Sequence, residues 1–186
     1  NTDVGHKHAG LAEDFLKETT ERCRDKGIRT LAYYSLSCDR WAYDTRPHWR
    51  KILKDGTPDP VNGVWARVCV NTPYKEELVL PQCEEIARYY DTDGFFIDIP
   101  FAMDCYCPYC RSKFRQLHGK ELESAPQEEA AEFWQNSTAR FLKELRQILH
   151  RYNPALTIVT NSAWTLAAAR TFSEQSDIGV WESQPH

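Results

Sequence analysis

The spacing of apolar residues changes along the chain, and each change of period predicts an element. Leu11, Phe15, Leu16, Thr19 and Cys23 recur at helical spacing, with Glu13, Lys17, Glu21 and Arg24 on the other side. Leu11–Lys26 is therefore expected as an amphipathic helix. Gly27 stands where a helix C-cap belongs, and Ile28–Ser37 follows as a strand. A long connection, Cys38–Asn71, is expected to hold one short strand at Trp65–Val70. Leu78–Tyr90 puts Leu78, Cys83, Ile86 and Tyr90 on one helical side. Gly94–Ile99 is a short apolar run carrying Asp98, the pattern of a strand buried on both faces. Cys110–His118 reads as helix and Lys120–Gln127 as a loop. Glu128–Tyr152 has the broadest apolar stripe, through Ala131, Trp134, Ala139, Leu142, Leu145 and Leu149. Asn153-Pro154 ends it, and strand Leu156–Asn161, helix Thr165–Glu174 and strand Ile178–Glu182 complete the series.

Helices alternating with strands predict βα units and a parallel sheet. That is the geometry of an open doubly wound sheet or of a (β/α)8 TIM barrel. No Gly-rich phosphate turn follows a strand, which argues against the nucleotide-binding version. Ser35, Ser37, Asp98, Asn161 and Glu182 mark the C-terminal ends of strands, where a barrel builds its chemistry. A whole barrel takes about 250 residues. The 186 residues are therefore expected to be one α/β domain, 1–186, forming part of a barrel and truncated at both ends. Such a piece would leave open strand edges, which predicts a homo-oligomer.

Composition narrows the function. Hydrophobic residues make up 41% of the chain, enough for a core, yet no run of about 18 apolar residues exists, which excludes a membrane-spanning helix. A net charge of −4 without a basic stripe argues against nucleic acid as partner.

Cys105-Tyr106-Cys107-Pro108-Tyr109-Cys110 places three thiols within one turn of a helix start. Zn²⁺ favours four such ligands in a closed, structural site. Cys69, at the end of the short strand, is the candidate for the fourth, with Cys38 as the alternative. Cys23 and Cys83 lie on apolar helix faces and read as buried thiols. Seven cysteines is an odd number, against a complete disulfide framework. Reduced thiols favour a cytoplasmic location.

Asp98 and Glu182 each end a strand, and two carboxylates facing one pocket suit glycoside hydrolysis. The same acids could instead cap a helix or pair with an arginine. Trp41, Trp49, Trp65, Trp164 and Trp181 fall in or beside strand-exit loops, a placement that fits a sugar cleft, whereas Trp134 reads as core. His6 and His8, in the opening loop, are further substrate-contact candidates, and Asn71 and Asn161 are candidates to line the pocket.

Taken together, Tyr33-Tyr34-Ser35, the aromatic loop Trp41–Trp49, Val68–Tyr74, Asp93–Ile99 and the Cys105–Cys110 loop resemble the hypothetical glycosyl hydrolase barrels related to α-L-fucosidases. The resemblance runs over nearly the whole chain. It implies that the four strands are the third to sixth of a barrel, that Asp98 is a nucleophile and that Tyr34 contacts substrate. It further implies a retaining, fucosidase-like activity on a carbohydrate, with Glu182 as acid/base or hydroxyl-binding group. The Cys loop is similar to that of zinc-containing β-galactosidases, where Cys69 matches an earlier ligand. Those enzymes place a Glu two residues beyond the Asp, and this chain has Pro100 there. The rival expectation is a carbohydrate-binding or degenerate barrel without turnover.

Overall fold

The computed structural model describes residues 2–11, 13–63, 65–100, 104–161, 172 and 174–180. Four parallel strands form one sheet in chain order: β1 (Leu31–Ser35), β2 (Gly94–Asp98), β3 (Thr157–Asn161) and β4 (Ile178–Val180). Consecutive parallel strands as neighbours require a crossover between each pair. Here the crossovers contain α3 (Leu80–Tyr89) between β1 and β2, and α4 (Pro108–His118) and α5 (Gln127–Tyr152) between β2 and β3. The helix expected over Thr165–Glu174 lies largely outside the described residues.

Strand parity sorts the side chains. Ala32, Tyr34, Phe95, Ile97 and Ile158 face the helix layer and join Leu78, Leu80, Cys83, Phe141, Leu142, Leu145 and Leu149 in the main core. Leu31, Tyr33, Phe96 and Asp98 take the opposite face, where Tyr33 stacks on Phe96 at 6.0 Å. That face is less covered, with Tyr33 62% exposed. Gly94 belongs at its site for a steric reason, since a Cβ there would stand 2.0 Å from the Thr157 carbonyl oxygen on the paired strand.

Three expectations need correction. The first helix, α1, runs only over Phe15–Arg24, because Asp14 caps it by accepting from the Lys17 amide. Leu11 lies before it, and both Leu11 and Phe15 are exposed rather than in the core. The stretch Trp65–Val70 is no strand of the sheet. It makes isolated antiparallel bridges, Cys38 with Arg67 and Arg50 with Val68, that fold the long connection back on itself. That connection also holds α2 (Arg40–Thr45), capped by Asp39 through the Ala42 amide at 2.8 Å, and a 3-10 turn at Pro47–Trp49.

A second, smaller core gathers Tyr106, Phe114, Leu122, Phe133 and Trp134 around the Cys loop. Trp134 is buried there, as expected, and its indole N–H donates to the Cys105 carbonyl at 3.1 Å. No helix among the described residues is long and apolar enough to cross a membrane.

Candidate functional site

Asp98 closes β2 on the open face of the sheet and is half-buried. Its neighbours come from the strands on either side. The Tyr33 hydroxyl donates to one carboxylate oxygen and the Asn161 amide to the other. Asn161 is 5% exposed, and its Oδ1 accepts from the Ile99 amide at 3.1 Å. Ile99 has φ 51°, a left-handed conformation rare for a β-branched residue. The chain thus turns sharply after Asp98, and Asn161 fastens the turn. Strand β1 is joined to the same point, as the Leu36 amide donates to the Asp98 carbonyl at 2.9 Å. A carboxylate with one oxygen fixed by a phenol and the other by an amide is oriented, and such charge-assisted bonds are the stronger kind.

Tyr33 was missed from the sequence. Period-2 alternation carries the signal: Tyr33, Ser35 and, across the register, Phe96 and Asp98 share one face, whereas Tyr34 takes the other. Tyr34 is 9% exposed and donates to Gln82 Oε1 at 2.9 Å, within the helix layer. Burial pushes its phenol well above the usual range.

The other expected contact residues distribute as follows. His6 stacks on Trp41 with ring centroids 5.8 Å apart, and Arg46 lies 5.5 Å from the Trp41 ring. His8 accepts from the Gly10 amide in a local turn. Trp49 is 2% exposed and packs on Tyr74, so its ring belongs to the core rather than to a cleft. Asn71 sits beside the cysteines, away from Asp98's hydrogen-bond partners. Glu182, Trp164 and Trp181 lie outside the described residues.

Cys69, Cys105, Cys107 and Cys110 converge. Their sulfurs all lie within 4.8 Å of one another, and all four residues are buried. Cys69 and Cys110 are 3.5 Å apart at sulfur, and Cys69 and Cys107 3.8 Å. These are contacts of free thiols, far longer than the roughly 2.05 Å of a disulfide. Hydrogen bonds from Cys107, Cys110 and Cys69 push the Cys105 thiol down, and bonding to Cys105 and burial push Cys69 up. The group is a ligand set that could hold one metal ion. Cys38, the alternative fourth ligand, stands apart and is pushed up to about 11 by burial. Cys83 is fully buried as expected, while Cys23 is half-exposed.

The Cys loop is laced to the connection after β1. The Ile52 amide donates to Cys105 Sγ at 3.5 Å, and the Tyr106 amide to the Ile52 carbonyl at 2.9 Å. Lys51, 8% exposed, pairs with Asp104 at 2.9 Å and Asp59 at 3.4 Å, and Arg67 also reaches Asp59.

A family model described as hypothetical glycosyl hydrolase 6 matches residues 1–99, just over half of the chain. No curated protein matches it. Among solved structures, an α-L-fucosidase isoenzyme 2 from Paenibacillus thiaminolyticus is similar at 25% identity and a TM-score of 0.75, over 86% of this chain and 24% of that one. A β-galactosidase from Rahnella sp. R3 is similar at 18% identity and 0.72, over 95% of this chain and 32% of that one. A β-galactosidase from Halorubrum lacusprofundi gives 22% and 0.73, over 96% and 34%. The parallel sheet is thus a segment of the TIM-barrel fold of such glycosidases, and the chain spans about a quarter to a third of their length.

Proposed function

The chain belongs to the hypothetical glycosyl hydrolase 6 family, and from that premise we propose that it carries the nucleophile of a retaining, α-L-fucosidase-like glycosidase, Asp98. The observation that supports this is the carboxylate's setting. Asp98 ends a parallel strand on the open face, with Tyr33 and Asn161 each fixing one oxygen. The C-terminal end of barrel strands is where such enzymes act.

In this reading an Asp98 oxygen bonds to the anomeric carbon while the glycosidic C–O bond breaks. The departing oxygen takes a proton from an acid, the role assigned to Glu182. Water, giving its proton back to that group, then displaces Asp98 and releases the sugar. His6 and Trp41, which stack on each other, are the aromatic groups assigned to a sugar's C–H face in this reading.

The cysteine centre has a structural part in this proposal, with Zn²⁺ as its ion. Tetrahedral Zn–S bonds of about 2.3 Å put sulfurs about 3.8 Å apart, close to the 3.5 and 3.8 Å seen. Four thiolates leave no open position, so zinc would clamp the loop after Asp98 and supply no reacting group.

The test is hydrolysis of aryl α-L-fucosides and related aryl glycosides. Asp98→Ala should abolish turnover, and Asp98→Gly should recover it with azide, yielding a glycosyl azide of inverted configuration. Unchanged hydrolysis by Asp98→Ala would end the nucleophile assignment. Sugar binding without turnover by the unmodified protein would favour the carbohydrate-binding reading.

A further inference from the structure

Apart from the thiols themselves, hydrogen bonds to the four cysteines come from two kinds of donor. Cys105 Sγ accepts from the Ile52 amide at 3.5 Å and Cys69 Sγ from the Asn71 amide at 3.4 Å. Both are main-chain groups, which almost any residue would provide. Cys110 instead accepts from a side chain, Asn71 Nδ2, at 3.3 Å. The other end of that amide is also engaged, because Asn71 Oδ1 accepts from Lys113 Nζ at 2.7 Å. A single asparagine therefore joins a sulfur to a cation.

The local sequence explains the geometry. Lys113 follows Cys110 by three residues on α4, so both emerge on the same side of the helix. Asn71 follows Cys69 by two residues in a turn closed by the Thr72 amide on the Cys69 carbonyl at 3.1 Å. Both partners are half-buried. Four thiolates around a divalent ion carry an excess of two negative charges, which burial makes expensive unless nearby donors and cations offset it. An ammonium on the amide oxygen polarises the amide and strengthens the N–H that reaches the sulfur.

We propose that Asn71 and Lys113 form an outer relay that orients Cys110 Sγ and offsets the charge of the loaded centre, setting how tightly it retains its ion. The proposal rests on the metal-binding reading of the four cysteines. Both are positioning residues, acting on the ion through Cys110. Removing outer partners of metal ligands typically costs 10–100-fold in metal affinity.

Zinc retention against a competing chelator tests it, in the unmodified protein and in Asn71→Leu, Lys113→Met and Lys113→Arg. Asn71→Leu keeps the backbone amide to Cys69 and removes only the side-chain donor, so the zinc dissociation constant should rise about 10–100-fold. Lys113→Met should give a smaller loss that Lys113→Arg largely restores. The double variant should be no worse than Asn71→Leu, because Lys113 works through Asn71. In Co²⁺-loaded protein, the thiolate-to-cobalt charge-transfer band should shift in Asn71→Leu, a change that loosening of a distant contact would not cause. Unchanged zinc affinity in Lys113→Met, with or without a folded Asn71→Leu, would overturn the relay. So would losses that simply add. If the unmodified protein binds no ion while folded, the metal reading itself fails and takes the relay with it.

Discussion

Asn161 offers a quantitative test of how the Asp98 end is held together. Its amide serves two customers at once: Nδ2 donates to Asp98 and Oδ1 accepts from the Ile99 amide at 3.1 Å. Truncation in Asn161→Ala strands the Ile99 N–H in a residue only 7% exposed, a desolvation penalty of about 1–3 kcal/mol. The lost bond to a charged carboxylate is ordinarily about 1.5–3 kcal/mol. Here that term is reduced, because Asp98 is half-buried and Tyr33 keeps the other oxygen. The left-handed turn at Ile99 adds to the case, since holding an L-residue there costs about 1–2 kcal/mol that its partners must offset. The terms share one side chain and do not simply sum, so we expect a loss of about 2–4 kcal/mol. Urea unfolding followed by circular dichroism measures it. Asn161→Leu, which refills the volume, should lose nearly as much. Asn161→Asp keeps the acceptor for Ile99 but sets a second carboxylate against Asp98, so it should lose at least as much as Asn161→Leu. A change under about 0.5 kcal/mol in Asn161→Ala, the range of ordinary surface substitutions, would refute this account of the turn.

Gly94→Ala should lose at least about 3 kcal/mol, the top of the usual overpacking range, because its Cβ would meet backbone, the Thr157 oxygen at 2.0 Å and carbon at 2.8 Å. For a chain of this size that is a fall in Tm of about 6–12 °C, and an unchanged melt would show that β2 and β3 are not paired in this register. Asp177 is held below the ordinary aspartate value of 3.8: burial acts upward, but Arg146 and the Ile158 amide outweigh it. Its folded pKa is depressed, so its stabilising share is present above the unfolded value and is lost as pH falls through the folded one. Asp177→Asn should therefore flatten the acid limb of the stability profile below about pH 4, and an unaltered limb would count against it. Strands β1 and β4 each pair on one side only among the described residues, so this chain should self-associate through sheet edges; a clean monomer by light scattering across a concentration series would refute that.

Much of the fold is legible in the sequence because each element announces its own period. The run Gly94–Ile99 reads as a strand and gives one over Gly94–Asp98, buried on the helix side but half-covered on the face that carries Phe96 and Asp98. The stripe on α5 reads as core, and its Trp134, Leu142, Leu145 and Leu149 are buried, while Ala131 and Ala139 are partly covered. What sequence hid was mostly local. The α2 helix has only six residues, too few for a periodic signal, though Asp39 three residues before Ala42 is the cap pattern that marks its start. Parity within Tyr33-Tyr34 decides which ring reaches Asp98, and it can be assigned only once the register with β2 is known. The four cysteines are legible by a different route: the Cys105–Cys110 spacing points to a shared site that needs a further ligand, and tertiary folding brings Cys69, not Cys38, beside them.

The two regions answer one physical problem. The carboxylate proposed as nucleophile stands at a strand end and needs rigid surroundings, and the connection after β1 supplies part of them by packing Leu36, Tyr43, Trp49 and Val68 into the main core. Here the loop after β2 is tied down by groups that are strong when buried and satisfied. Cys105, Cys107 and Cys110 meet Cys69 from the earlier connection. The Ile52 backbone bonds the loop twice, and Lys51 binds Asp104 from the same connection. Of these groups the cysteines and Lys51 are buried, and buried polar groups stabilise only when each finds its partner. On the Asp98 side the same economy appears in a smaller form, with a single Asn161 amide holding both the carboxylate and the turn that follows it. The sheet sets where Asp98 stands. The cysteines and their neighbours hold the chain that leaves it.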